Sequence, residues 1–139
     1  AALNANAGVG ILAVTVLTSS GEAELKALRY PGTMADLVQE RASEALRLGC
    51  TGVVASAQEA THLRQTLGTN FRIVTPGIRS AGVASHDQKR ISTPGAALLN
   101  GADYLVIGRP IRDAADPLAA IKAIQAEMKS VLAARQLQP

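Results

Sequence analysis

The ten residues Gly101-Ala102-Asp103-Tyr104-Leu105-Val106-Ile107-Gly108-Arg109-Pro110 contain a short run of bulky apolar and β-branched side chains that stops abruptly at a glycine and an arginine. Residues 104–107 have the pattern of a strand buried on both faces, as parallel sheets produce. A glycine at position 108 lets a ligand come close to the backbone, and Arg109 sets a permanent forked cation at the strand's C-terminal edge. Such an ending points to a phosphate grip. Taken alone, a structural strand end followed by a surface arginine is the commoner arrangement.

The flanks repeat one grammar. Before the strand, Thr93-Pro94 supplies a cap and then proline at the first helical position, and Asn100-Gly101 closes that helix. After it, Asp116-Pro117 repeats the device, and Leu118, Ile121, Ile124, Met128, Val131 and Leu132 form one amphipathic stripe. Nearer the start, residues 1–8 read as the tail of a helix, and residues 11–18 read as a buried strand closed by Thr18-Ser19-Ser20-Gly21. Residues 22–28 suit a short helix before the turn at Tyr30-Pro31-Gly32. Thr33 with Asp36 makes a capping-box pattern; Met34, Leu37, Val38, Ala42, Ala45 and Leu46 follow at helical spacing, and Gly49 supplies the stop. Residues 52–55 form a second strand. Ser56-Ala57-Gln58-Glu59 repeats the capping box for a helix ending at Leu67-Gly68, and a third strand, 71–75, is broken by Pro76-Gly77. A glycine-rich polar loop fills residues 78–92.

The order is β-α-β-α-β-α-β-α, which means a parallel sheet with right-handed crossovers. Two architectures are compatible with four such units: a small open doubly wound sheet, or half of an eight-stranded barrel, since barrels usually run to about 250 residues. At 139 residues the chain is long enough for one compact domain. Hydrophobic residues make up 47% and aromatics only 2%, so the core must be Ala, Leu, Val and Ile, as suits helices on a parallel sheet. The net charge of +3 is scattered, without a basic block or stacking aromatics, which argues against a nucleic-acid surface. A single cysteine, Cys50, excludes a disulfide framework and fits a reducing cytoplasm. No apolar run reaches membrane-spanning length.

Ligands in parallel α/β folds sit at the C-terminal strand ends. Those ends carry Thr18, Ser56, Thr75-Pro76-Gly77 and Gly108-Arg109, and the loop after the third strand adds Arg79, Asp87, Gln88, Lys89 and Arg90. Arg79, Gln88 and Arg109, with the Gly108 amide, are placed to converge on phosphate oxygens, each charge-assisted hydrogen bond being worth on the order of 1.5–3 kcal/mol. The bland alternative, that Arg79, Lys89 and Arg90 are solvated loop charges, is slightly favoured by spacing alone. His62 falls within a helix and His86 in the loop, neither with a partner pattern for metal or base chemistry. Cys50 reads as a small buried filler.

Val14-Thr15-Val16-Leu17-Thr18-Ser19, Gly52-Val53-Val54-Ala55-Ser56-Ala57-Gln58-Glu59, Val74-Thr75-Pro76-Gly77-Ile78-Arg79, Asp87-Gln88-Lys89-Arg90-Ile91 and residues 104–110 occur in this order. In that order they resemble the bacterial type of orotidine 5′-phosphate decarboxylase over nearly the whole chain. The resemblance implies a (β/α)8 TIM barrel that turns orotidine monophosphate into UMP without a cofactor or metal. These four strands would be its last four, so residues 1–139 would be a C-terminal half-barrel, incomplete relative to the family's single domain. It implies that Thr18 hydrogen-bonds the pyrimidine, that Pro76 lines the base pocket, and that Arg79, Gln88, Gly108 and Arg109 hold the 5′-phosphate. Residues 78–92 resemble the family's closing lid. The implied partners are orotidine monophosphate or UMP, the missing N-terminal half and, for the complete enzyme, a second copy in a homodimer; nucleic acid and membrane are not expected.

The family's Lys-Asp catalytic array, written largely as Asp-x-Lys-x-x-Asp, does not occur in this chain. Asp87-Gln88-Lys89 imitates its start, but Ser92 stands where the final Asp belongs. No catalytic acid or base is therefore assigned, and the isolated chain is expected to be inactive. Two other classes stay open: a non-catalytic phosphate- or nucleotide-binding half-barrel, and a structural module that oligomerises and binds nothing. A related enzyme of the ribulose-phosphate-binding barrel group fits the motifs less well.

Overall fold

The computed structural model describes residues 8–79 and 90–136. Four strands, Leu12–Val14 (β1), Gly52–Val54 (β2), Arg72–Thr75 (β3) and Tyr104–Leu105 (β4), form one parallel sheet in the order β1-β2-β3-β4. Between them run the helices Glu22–Ala27 (α1), Met34–Arg47 (α2), Ala57–Leu67 (α3) and Pro94–Leu99 (α4); Arg109–Arg112 (α5) and Pro117–Gln136 (α6) follow the last strand.

Strand order separates the two architectures. A doubly wound sheet reverses direction and covers both faces with helices, whereas here each strand is added on the same side of its predecessor. All crossovers of one hand then place the helices on one face. Burial agrees: Val53 and Ile73, partners in register with Ala13, are 0% exposed and pack with Val38, Ala42, Ala60 and Leu63 of α2 and α3. Burying Leu63 and Ile73 stabilises the fold by about 1.5–3 kcal/mol each. A second cluster joins Ala57, Ile78, Ala97 and Ala102 to Leu105 and Ile107.

The opposite face is open. Val14, Val54, Val74 and Tyr104 share one register row across the four strands, with Val14 57% and Tyr104 58% exposed. This corrects the expectation that residues 104–107 and 11–18 are buried on both sides: Leu12, Leu17 and Val106 are exposed as well. The strand at 11–18 is also shorter than its apolar run, because ladder pairing with β2 ends at Val14 and the Thr15 amide makes one last bond to the Val54 carbonyl, 3.1 Å.

Caps explain most helix starts. The Thr33 hydroxyl accepts from the Asp36 amide (3.2 Å) while the Asp36 carboxylate accepts from the Thr33 amide (2.8 Å), a complete capping box. Thr93 accepts from the Ala96 amide (3.2 Å) ahead of Pro94, and Asp116 accepts from the Ala119 amide (3.0 Å). The box expected at Ser56 does not form. Ser56 is the N-cap of α3, but its hydroxyl donates to the Glu59 carboxylate instead of capping the backbone. Along α6 the stripe is partly realised: Ile124 is buried, while Leu118 and Leu132 are exposed. On α4, Gly95 lets α6 approach, since a Cβ there would lie 2.9 Å from Glu127 Oε1, which accepts the Gly95 amide at 2.7 Å.

At the N-terminal ends of β3 and β4, Arg64 knots the sheet to α3. Its guanidinium donates to the carbonyls of Gly101 (2.9 and 3.0 Å) and Phe71 (3.0 Å) and pairs with Asp103 at 2.6 Å. The Asp103 carboxylate also accepts the Ile73 amide at 2.7 Å.

Candidate functional site

Beyond the C-terminal ends of β3 and β4 lies a cavity of about 490 Å³ lined by Pro76, Gly77, Arg79, Val106, Gly108, Arg109 and Arg112. Its walls come from the two last βα connections. After β3, Gly77 takes φ 76, a left-handed turn that suits glycine. Ile78 and Ser92 then pair as a parallel bridge: the Arg79 amide donates to the Ser92 carbonyl (2.9 Å) and the Ser92 amide to the Gly77 carbonyl (3.3 Å). Residues 77–79 are thereby tied to Ser92 just ahead of α4, and Arg79 lines the cavity from a fixed backbone.

Arg79 is 6% exposed, against the reading of a solvated loop charge. One of its guanidinium nitrogens donates to the Ile78 carbonyl at 2.7 Å, while its Nε has no partner among the described residues. A buried, under-satisfied guanidinium beside an open cavity favours an anion there, because a cation short of partners in a poorly solvated place gains most from a negative charge. The Thr75 hydroxyl, fully buried at the end of β3, also lacks a partner among the described residues.

On the other wall, Arg109 opens the one-turn helix α5 rather than ending a strand, with Pro110 in the first turn and Gly108 as N-cap. A Cβ built on Gly108 meets no atom within 4 Å, so the space before it belongs to the cavity and not to packing. Arg112, one turn on, also lines the cavity and was not singled out from the sequence. The only signal for it was the helical spacing that Pro110 permits. Its guanidinium grips Asp113 at 2.6 and 2.9 Å, and this hydrogen-bonded carboxylate holds it above the ordinary arginine range.

Of the residues expected at a binding site, Pro76, Arg79, Gly108 and Arg109 therefore share one cavity. Thr18 does not line it. It is buried in the turn that follows β1, where its carbonyl accepts the Arg90 amide at 3.3 Å. Arg90 is buried too, again contrary to a solvated charge. Gln88, with Asp87, Lys89 and His86, lies outside the described residues. His62 sits within α3, and Cys50 packs against the first core cluster. Among the described residues no group of three metal-ligating side chains occurs, and no helix is long and apolar enough to cross a membrane.

Residues 1–124 match the family described as orotidine 5′-phosphate decarboxylase / HUMPS. The chain belongs to that family. It is 54% identical over 130 residues to the orotidine 5′-phosphate decarboxylase of Afipia carboxidovorans, covering 92% of this chain and 55% of that protein. With the decarboxylase of Rhodopseudomonas palustris it shares 55% identity over 120 residues, 86% of this chain and 51% of the other. Among solved structures, the orotidine 5′-phosphate decarboxylase of Lactobacillus acidophilus superposes with a TM-score of 0.70 at 37% identity, over 88% of this chain and 52% of that one. The chain thus spans about half the length of these decarboxylases, and its four sequential βα units are half of a (β/α)8 barrel.

Proposed function

We propose that this chain supplies the phosphate- and base-binding side of an orotidine 5′-monophosphate decarboxylase, a cofactor-free carboxy-lyase that forms UMP. The observation that carries the reading is the cavity lined by Arg79, Arg109 and Gly108, with Arg79 buried and its Nε without a partner among the described residues. Arg79, Gln88, Arg109 and the Gly108 amide hold the 5′-phosphate, Pro76 lines the base pocket, and Thr18 hydrogen-bonds the pyrimidine. Binding energy gathered at the phosphate, remote from the bond that breaks, helps assemble a dry, preorganised site. The proton and carboxylate chemistry requires the Lys-Asp array, so these residues orient substrate while turnover awaits the complementary half-barrel. That half covers the open face of the sheet, and the completed enzyme is a cytoplasmic homodimer.

The absence of an acid/base array among these residues supports one second reading, a nucleotide-binding half-barrel without turnover. Restoring activity with a fragment bearing Asp-x-Lys-x-x-Asp decides between them, because only the first reading expects rescue. The binding claim is tested by calorimetry with UMP and uridine. Arg109→Ala is expected to weaken UMP by roughly tenfold or more, as loss of a charge-assisted hydrogen bond implies, and to leave uridine almost unchanged. Equal losses for both ligands refute the phosphate assignment.

A further inference from the structure

We propose that Arg90, locked by Glu59, is a positioning residue that fixes the Thr18 turn, and so sets the base end of the site independently of its phosphate end. The inference rests on the reading of Thr18 given above. Arg90 does not line the arginine cavity. Its guanidinium donates instead to the carbonyls of Leu17 (2.8 Å) and Val16 (3.2 Å), and its own amide donates to the Thr18 carbonyl (3.3 Å). Three successive carbonyls in the turn that follows β1, those of residues 16–18, are therefore held by one residue. The two guanidinium bonds to carbonyls come from Nη2; Nη1 donates to Glu59, Nε has no partner among the described residues, and the two side chains are 8% and 7% exposed. Glu59 is itself tethered by the Ser56 hydroxyl at the start of α3.

One guanidinium thus joins the turn after β1 and the first turn of α3 to Arg90, just ahead of α4. Guanidinium suits the post because a planar fork serves two carbonyls and a carboxylate at once, which a lysine ammonium on its flexible stem does not reproduce. The carboxylate is needed as well: without it a buried cation would be left with carbonyl dipoles alone. The Leu17 carbonyl also accepts the Ser20 amide at 2.9 Å, so the turn that carries Thr18 is braced from inside and from Arg90.

The test compares Arg90→Met, Glu59→Gln and the double variant with the parent chain, in two measurements. In amide hydrogen exchange, Arg90→Met is expected to speed exchange at Ser20 about tenfold, the scale of one charge-assisted hydrogen bond, with Leu48 and Gly68 at distant helix ends unchanged. In ligand binding, UMP affinity is expected to fall about tenfold while ribose 5-phosphate, which lacks the base, stays within about twofold. The double variant should lose no more than Arg90→Met alone, because the pair acts as a unit. Where Arg90→Met fails to fold, Glu59→Gln, which removes the charge and keeps the shape, carries the same comparison. Equal losses for UMP and ribose 5-phosphate, or faster exchange throughout the chain, overturn the proposal. If the parent chain binds neither ligand, the nucleotide reading falls, and exchange confined to the Thr18 turn or spread beyond it still decides for or against the clamp.

Discussion

Arg79 keeps a guanidinium 6% exposed with its Nε unpaired among the described residues, and that is costly in the absence of an anion. Arg79→Met keeps the length and removes the charge, so its melting temperature is expected to match or exceed the parent's while the preference for UMP over uridine disappears. A melting temperature several degrees lower would mean that Arg79 is a structural cation. Asp36 gives a residue-scale dependence on pH. Hydrogen bonds from the Thr33 hydroxyl and then the Thr33 amide hold its carboxyl below the ordinary aspartate value of 3.8. A carboxyl lowered by folding stabilises the native state above the unfolded value, and that contribution is lost as pH falls through the folded one. Asp36→Asn should therefore melt below the parent at neutral pH, with the gap closing in acid well under pH 3.8. A gap independent of pH would trace the loss to something other than the carboxylate.

Gly52 decides how closely β2 lies beside β3. A Cβ there would stand 2.3 Å from the Arg72 carbonyl oxygen and 2.9 Å from Leu12 Cδ2, and the first of these is backbone. Gly52→Ala is expected to cost roughly 1–3 kcal/mol, read as a lower urea midpoint at unchanged slope, as for other overpacked sites. Element by element, sequence legibility follows the range of the interactions. The caps at Thr33 and Thr93 can be read because donor and acceptor lie three residues apart. Ser56 carries the same signature and misleads, because Glu59 is claimed by Arg90, 31 residues away. The burial of Arg79 and Arg90 is invisible for the same reason: carbonyls in the turn after β1 and the Ile78–Ser92 bridge create it. Four strands in the right places are legible from apolar runs, but which face stays open is not, since a run without alternation says nothing about what covers it. The site is legible mainly through Thr-Pro-Gly-Ile-Arg and Ile-Gly-Arg-Pro; α5 and Arg112 are missed because one helical turn leaves no period to detect.

Across the whole molecule the helices cover one face of the sheet, while the row of Val14, Val54, Val74 and Tyr104 meets solvent on the other. Exposed apolar area of this kind marks an association surface. Sedimentation velocity is expected to show more than one species at micromolar concentration, collapsing to one when a complementary half-barrel is added. A single sharp monomer boundary with cooperative unfolding counts against the missing partner. Both outer strands, β1 and β4, carry an unpaired edge within the described sheet, and they run in the same direction. Copies meeting edge to edge therefore add head to tail, and the geometry offers two ends. Joined at both edges, two molecules complete a circle of eight strands and growth stops; joined at one edge, each addition exposes a fresh end and a fibre lengthens. Whether a solution of this chain alone stays clear or turns turbid is thus a question about curvature.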